Sequence, residues 1–179
     1  RTNYCGLVSS SVAERLHVDG FRAGSTGGAD ADAAAWQIWQ HNHLDADSEL
    51  VHSAALDLSE AYVMVGFDGE RSTISVEDPR TVTVETHPLN RRHYRAGVKT
   101  WTDDVEGATR SVLYLPRSVH YFTRPSGTNR WAPEAWRETG PDFIGEAAPV
   151  ENTLGEVPIE RFLNRPQLRG LWNYSIWLE

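Results

Sequence analysis

The spacing of apolar side chains changes near residue 60, and this change limits the folds that the chain can adopt. Before it, apolar residues recur every three or four positions, which is typical of one face of a helix; the clearest set is Leu50, Val51, Ala54, Ala55 and Leu58. After it, apolar and polar residues alternate in short segments separated by short turns, which is typical of antiparallel strands rather than β-α-β units. The sequence therefore predicts an α+β fold, with N-terminal helices followed by an antiparallel β-sheet or a small barrel.

The same pattern predicts three segments within one compact unit of a larger protein. Residues 1–60 are expected to form a helical segment made of a helix, a short strand at 18–22 and a helical hairpin. Residues 61–166 are expected to form the antiparallel β region, with a long loop at 125–150 and a last strand that Pro158 marks as an edge. Residues 167–179 form an apolar tail whose final Leu-Glu is a common cloning remnant. Because the chain starts without methionine, we expect it to be a piece of a longer polypeptide.

Charge and cysteine content exclude several classes of protein. The chain carries 17 Lys and Arg against 25 Asp and Glu, a formal net charge of −8, whereas broad affinity for nucleic acid or an anionic membrane requires a concentrated basic face. No apolar run approaches the length of a membrane span. Cys5 is the only cysteine, so no intramolecular disulfide can form, and we interpret it as a small buried side chain rather than a reactive thiol. Around it, one helix face carries Tyr4, Val8, Val12 and Leu16 at four-residue spacing.

Residues 41–43 read His-Asn-His, the letters that name a class of metal-dependent nucleases. That motif spreads its residues over a ββα unit, whereas adjacent residues at the end of a helix point in different directions. His41 and His43 are therefore predicted to interact with the negative end of the helix dipole instead of a metal ion.

Three acidic residues follow at alternate positions, namely Asp45, Asp47 and Glu49. They resemble a calcium-binding loop but lack its glycine and its terminal bidentate glutamate, so Asp45 is predicted to be the N-cap of a third helix. The glycine-rich residues 24–28 lack the Gly-Lys-Ser/Thr of a phosphate-binding loop, and no nucleophile elbow, zinc helix or cysteine pair occurs. Folding could still assemble a triad from scattered residues. The sequence itself predicts no catalytic, cofactor-binding or metal-binding residue.

Two groups of side chains are candidates for contacts with other molecules. The one basic cluster, on a predicted hairpin tip, comprises Arg91, Arg92, His93 and Arg95. It is either an exposed turn kept soluble by its charge or a contact to a DNA backbone or another subunit, which many copies would strengthen. Trp131 and Trp136 are candidate interface anchors, because tryptophan is enriched at binding hot spots, with core packing as the alternative.

Blocks of sequence along most of the chain match, in order, those of a known family. The blocks are residues 13–21 (AERLHVDGF), 35–45 (AWQIWQHNHLD), 61–66 (AYVMVG), 73–79 (TISVEDP), 91–101 (RRHYRAGVKTW), 112–116 (VLYLP) and 152–166 (NTLGEVPIERFLNRP). No single block is specific, but the ordered set resembles the portal (head-to-tail connector) proteins of long-tailed phages. The family continues with a GxSE start to its stem helices, whereas Gly170 here is followed by LWNY. This departure implies either a cut chain or a truncated prophage gene.

The resemblance implies a structural subunit fragment and no enzymatic activity or cofactor. Family members close into a dodecameric ring at one capsid vertex, where double-stranded DNA enters and leaves through the central channel and the tail is joined. The implied partners are other copies, the large terminase subunit, head-completion, capsid and scaffold proteins, and the DNA, with no membrane. The implied location is the virion, and the host cytoplasm during assembly, and this chain would fall in the wing of the subunit. Two alternatives remain open: another head-assembly or binding module, and a metal-dependent nuclease or hydrolase.

Overall fold

The computed structural model describes residues 3–22, 28–127 and 132–164. The helices come first and are α1 (Tyr4–Ala13), α2 (Gly28–His41) and α3 (Leu44–Leu58). The strands are β1 (Glu60–Phe67), β2 (Ser72–Glu77), β3 (Val82–His87), β4 (Asn90–Asp103), β5 (Ala108–Tyr114), β6 (Ser118–Pro125), β7 (Arg137–Thr139), β8 (Val150–Glu151) and β9 (Ile159–Leu163). Short 3-10 helices at Pro133–Ala135 and Pro141–Phe143 flank β7. Helices followed by open antiparallel sheets confirm the predicted α+β class, and the described strands close no barrel.

The chain divides into two compact units. The first unit contains the described residues up to Pro79 and those from Glu160, and the second runs from Arg80 to Ile159. The sequence predicted one unit with its internal boundary at residue 60. In the structure β1 and β2 belong with the helices, because α3 packs on both strands and because the last strand returns beside β1.

The first unit is a three-stranded sheet in the order β2-β1-β9, with α3 packed on β1. Its core contains Val51 of α3 with Ala61 and Val63 of β1, and is surrounded by Ala54, Ala55, Ile74 and Val76. The centre of the predicted α3 stripe is therefore correct, whereas its outer members Leu50 and Leu58 are exposed. β9 is an edge strand among the described residues, as Pro158 predicted.

The segment before α2 differs from the expectation in two ways. Residues 16–22 form no strand, and residues 23–27 lie outside the described residues. The interpretation of Cys5 as buried is wrong: Cys5 is exposed, and only Ser9 and Ala13, which follow it one and two turns later on the same side of α1, are buried. At the start of α1, Oδ1 of Asn3 accepts a hydrogen bond from the amide N–H of Gly6 at 3.0 Å.

A left-handed residue separates α2 from α3. His43 has φ 54° and ψ 30° and serves as the N-cap of α3 without a side-chain hydrogen bond. The prediction that Asp45 is the N-cap is therefore wrong, and Asp45 instead lies in the first turn, where the helix dipole favours a carboxylate. Its two oxygens accept hydrogen bonds from Nε1 of Trp39 and Nε2 of Gln40, each at 2.7 Å. These side chains hold the end of α2 against the start of α3.

The second unit is a sheet in the order β3-β4-β5-β6-β7, with β8 also paired to β6. The buried apolar residues of this unit include Val82, Val84, Val112 and Val157. Gly97 leaves room for this core, since a Cβ atom there would lie 2.7 Å from Cδ1 of Ile159 and 2.8 Å from Cγ1 of Val157. The loop predicted at 125–150 contains β7 and both 3-10 helices, while residues 128–131 lie outside the described residues.

Candidate interaction surfaces

The predicted basic cluster lies on the tip of the β3–β4 hairpin. The last residue pair before the turn is His87 opposite Asn90, and the next is Thr86 opposite Tyr94. Between these two pairs β4 advances four residues, from 90 to 94, whereas β3 advances only one, from 87 to 86. Residues 91–93 therefore form a bulge on β4, a feature that bends a strand and re-aims its side chains.

A second bulge places the last arginine of the cluster. Tyr94 pairs with Thr86 and Ala96 pairs with Glu85, so Arg95 is an extra residue between them. Arg92, His93 and Arg95 are exposed, whereas the side chain of Arg91 lies outside the described residues. The tip is thus a bulged basic protrusion on a chain whose net charge is −8. This geometry fits both interpretations of the cluster, an exposed turn and a contact surface.

Trp136 packs within the second unit. It follows the 3-10 helix Pro133–Ala135, and Cζ of Arg124 lies 5.0 Å from the centroid of its ring, a cation–π distance. Arg124 is buried and Trp136 is half-buried, so one face of the indole is already occupied. This contact favours packing over an interface role for Trp136. Trp131 lies outside the described residues, and its interface role stays a prediction.

An aromatic cluster that the sequence did not predict forms around Phe143. Asp142 and Phe143 have φ values of 57° and 64°, in the left-handed region that residues other than glycine rarely adopt. This conformation sets the ring of Phe143 edge-on to Trp101 and Tyr121, with centroids 5.5 Å apart in both cases. Cζ of Arg110 lies 4.7 Å from the same ring. The loop is therefore fixed on one face of the sheet.

Charged groups complete this cluster. Arg110 forms ion pairs with Asp103, at 3.3 Å, and with Glu106. Burial raises the pKa of the Tyr121 phenol above 10.0, and the negative charge of Asp142 raises that pKa further. The one sequence signal for the loop is Gly140, where a Cβ atom would collide with the carbonyl oxygen of Ile144.

Three polar side chains of the second unit form a hydrogen-bonded chain. Oγ of Ser118 lies 3.0 Å from Nε2 of His120, and Nδ1 of His120 lies 2.7 Å from Oε1 of Glu138. This is the order of contacts in a Ser-His-carboxylate triad. The contacts also tie β7 to β6. Ser118 lies in a regular strand, opposite Glu151, whereas the nucleophile of an α/β-hydrolase lies on a sharp turn.

In the first unit, two sequence blocks of the family resemblance meet. Phe21, from residues 13–21, lies 6.1 Å from Trp36 and 5.5 Å from Trp39 between ring centroids, and the two tryptophan rings stack at 6.3 Å. Because Trp39 also binds Asp45, residues of the second block contact one another as well. These motif residues therefore have structural roles that explain their order and spacing.

Two residues of the His-Asn-His segment, His41 and Asn42, also make contacts within the first unit. The amide of Asn42 donates to the carbonyl of Ser72 at 3.1 Å and accepts from the N–H of Ile74 at 2.8 Å, so it bonds to the edge strand β2 as a neighbouring strand would. Nδ1 of His41 lies 3.1 Å from Nη1 of Arg71. Within the described residues no group of three potential metal ligands converges. Among the helices of that part of the chain, none combines the length and apolarity needed to cross a membrane.

Comparison with known proteins identifies the class. A family model of phage portal proteins, SPP1 Gp6-like, matches residues 1–178. The portal protein of Mycobacterium phage D29 is 28% identical over 181 residues, which cover 96% of this chain and 34% of the relative. That of Mycobacterium phage L5 is 29% identical over 184 residues with the same coverage of both chains. The chain belongs to the SPP1 Gp6-like family of phage portal proteins, and it spans about a third of the length of these relatives.

Proposed function

We propose that this chain is the wing part of a phage portal subunit, with a structural role. The observation that carries the proposal is the family match over residues 1–178. In the intact subunit, twelve copies close into a ring at one capsid vertex, double-stranded DNA passes through the channel, and the ring joins head to tail. The large terminase subunit, head-completion proteins, and capsid or scaffold proteins bind the same ring. Assembly takes place in the host cytoplasm, and the finished ring resides in the virion.

The wing contributes to the ring through its surfaces. Heterologous contacts of this kind close into a ring only when the rotation from one copy to the next is correct, so they require rigid elements. The bonds of Asn42 to β2 and the cluster around Phe143 supply rigidity in the first and second unit respectively. The basic tip with Arg91, Arg92 and Arg95 contacts either the DNA backbone or the acidic surface of an adjacent copy.

Electron microscopy of the full-length parent polypeptide tests the proposal. Negative-stain images should show rings of twelve copies in end-on views, with a channel wide enough for duplex DNA. A homogeneous monomer or small oligomer would contradict the portal function.

The basic tip can be tested in the same rings. The double variant Arg92→Gln with Arg95→Gln should lower either the salt concentration at which rings dissociate or the amount of DNA retained in filled heads. If the double variant forms fewer rings, the tip is a contact between subunits. If its rings are intact but the filled heads retain less DNA, the tip contacts the DNA backbone. Arg117→Gln is the matched control, because Arg117 is also an exposed arginine at a turn of the second unit. If the double variant changes ring stability and DNA retention no more than Arg117→Gln does, the basic tip makes neither contact.

One observation supports a second candidate function, hydrolysis of an ester or amide. Ser118, His120 and Glu138 have the contacts of a nucleophile, a general base and its orienting carboxylate. A fluorophosphonate probe should label Ser118 if this candidate is correct, and His120→Gln should abolish the labelling. An unlabelled wild-type protein eliminates the candidate and leaves these side chains the structural role of joining β6 and β7.

A further inference from the structure

The longest strand of the second unit, β4, has opposite charges at its two ends. The basic tip of the β3–β4 hairpin lies at its start. The β4–β5 turn at its end carries Asp103, Asp104 and Glu106, which we call the acidic turn. β4 has 14 residues, and at about 3.3 Å per residue its ends lie roughly 40 Å apart. The second unit is therefore polarised along this strand.

The charges at both ends lack full compensation within their own unit. Among the described residues, no carboxylate forms an ion pair with Arg92 or Arg95. In the acidic turn, Arg110 pairs with two of the three carboxylates. The third, Asp104, is exposed and forms no ion pair in this part of the chain. One arginine against three carboxylates leaves the turn negative, so each end of β4 attracts the charge that the other end carries.

Each end also carries one aliphatic side chain that is almost fully exposed. Leu89 in the basic tip is 92% exposed and Val105 in the acidic turn is 96% exposed, the two highest values among the large apolar residues that the structure describes. A single exposed aliphatic side chain is ordinary on a surface. Here each one stands beside the charges of its tip, which is the arrangement of an interface with an apolar centre and a polar rim. A phosphate group offers Leu89 no apolar contact, whereas Val105 of another copy does.

Hydrogen bonds from side chains to the backbone fix both turns. In the basic tip, Oδ1 of Asn90 accepts a hydrogen bond from the N–H of Arg92 at 3.1 Å. In the acidic turn, Oδ1 of Asp103 accepts from the N–H groups of Val105 and Glu106 at 3.0 and 3.1 Å. Turns that are already ordered lose less conformational entropy when they bind a partner.

We propose that the basic tip of one copy binds the acidic turn of the next copy, with Leu89 against Val105 and with Arg92 and Arg95 beside Asp104. The two ends cannot meet within one copy, because roughly 40 Å of strand separates them. Like ends repel each other, so the contact is head-to-tail and repeats in one direction from copy to copy, as a ring requires. The proposal rests on the proposed function in taking the parent subunit to form a ring, and it assigns the basic tip to a subunit contact rather than to DNA.

Disulfide cross-linking of the full-length parent polypeptide tests this contact. Leu89→Cys is combined with Val105→Cys in a background with Cys5→Ser and any other cysteine of the parent replaced, and the protein is oxidised under conditions in which rings form. A disulfide between positions 89 and 105 can join only two different copies, so a non-reducing gel should show a ladder of covalent multimers, and peptide mass should identify the bond. Leu89→Cys with Ile144→Cys is the matched control, because Ile144 is 75% exposed in a different loop of the second unit. The control pair should give no ladder.

Charge reversal distinguishes the acidic turn from DNA as the partner of the basic tip. Arg95→Glu and Asp104→Lys should each lower the salt concentration at which half of the rings dissociate by about twofold. The two changes combined in every copy should recover part of this loss, because each contact then has opposite charges again. Arg117→Glu is the control, since this exposed arginine lies at another turn of the second unit, and it should leave ring stability unchanged.

Two results would overturn the contact. Rings that form without the disulfide between positions 89 and 105, and without recovery in the combined variant, would remove this contact and leave the portal function standing. If Arg95→Glu lowers the DNA retained in filled heads and leaves ring stability unchanged, the basic tip contacts the DNA backbone instead. Electron microscopy reports ring formation separately, so a parent that forms the disulfide but no rings would support the contact and contradict the proposed function.

Discussion

The two units of the chain place their exposed apolar side chains differently. In the second unit, most such residues stand singly in turns and loops, for example Leu89, Val105 and Ile144, and Val150 lies in the two-residue strand β8. In the first unit they occur on every helix, with Tyr4 and Leu7 on α1, Ile38 on α2, and Leu50 on α3. Single exposed apolar residues are ordinary on protein surfaces, whereas apolar helix faces mark surfaces that another part of an assembly covers. Within the described residues, the helical unit therefore carries more exposed apolar side chains on its regular elements than the second unit does.

The polar groups of the two units follow the same division. In the second unit Arg110 is held by two carboxylates and an aromatic ring, and His120 by Ser118 and Glu138. In α1, by contrast, side-chain hydroxyls bond only to the backbone of their own helix. Arg110 and His120 therefore bind side chains of other elements in their own unit, while the hydroxyls of α1 bind only within the helix.

The largest expected effect tests how closely the core of the second unit is packed around Gly97. Gly97→Ala places a methyl group against the buried side chains of Val157 and Ile159 and should lower the free energy of unfolding by about 2–3 kcal/mol. Gly66→Ala is the matched control in a strand of the first unit, since its Cβ atom meets only the rotatable hydroxyl of Thr73. Chemical denaturation followed by tryptophan fluorescence measures both. Equal losses for the two variants would show that the core at Gly97 is not closely packed.

A smaller effect is expected from the edge of the first unit. Asn42→Ala removes two hydrogen bonds to the backbone of β2 and should cost about 1–2 kcal/mol in the free energy of unfolding. Asn90→Ala is the control, because the side chain of Asn90 accepts one bond in an exposed turn and its loss should cost at most about 0.5 kcal/mol. Thermal unfolding compares the two variants. A neutral Asn42→Ala would mean that β2 needs no partner at this edge.

The smallest effect is a dependence on alkaline pH in the second unit. The pKa of Tyr121 is raised above 10.0 in the folded state, so its phenol stays neutral there at pH values where it ionises in the unfolded chain. The stabilisation is complete below about pH 10 and is lost as the pH rises through the folded-state pKa. Ultraviolet titration should show the pKa of Tyr121 falling more in Phe143→Ala, which exposes the phenol, than in Asp142→Asn. The reverse order would show that charge outweighs burial.

Sequence periodicity predicted where helices and strands occur better than it predicted which of their faces are buried. It found the helices, the change to strands and the centre of the α3 stripe, because these depend on neighbouring residues. For α1 it identified the face with Tyr4, Val8 and Val12 but not that this face points outward, since periodicity carries no information about what lies beside a helix. The N-cap of α3 was predicted two positions too late, at Asp45 and not at His43, because the partners of Asp45, Trp39 and Gln40, belong to the preceding helix. Spacing rules also offered no signal for Ser118 and His120 meeting Glu138, which only strand pairing brings together.

Hydrogen–deuterium exchange of α1 most directly tests the central claim, which is the proposal that this chain packs as part of a larger portal subunit. Amide exchange is measured by peptide mass in this chain and in the monomeric full-length parent. The amides of α1 should exchange about tenfold or more slowly in the parent, while those of β5 (Ala108–Tyr114) should exchange equally in both. Equal exchange of α1 in the two proteins would contradict the claim.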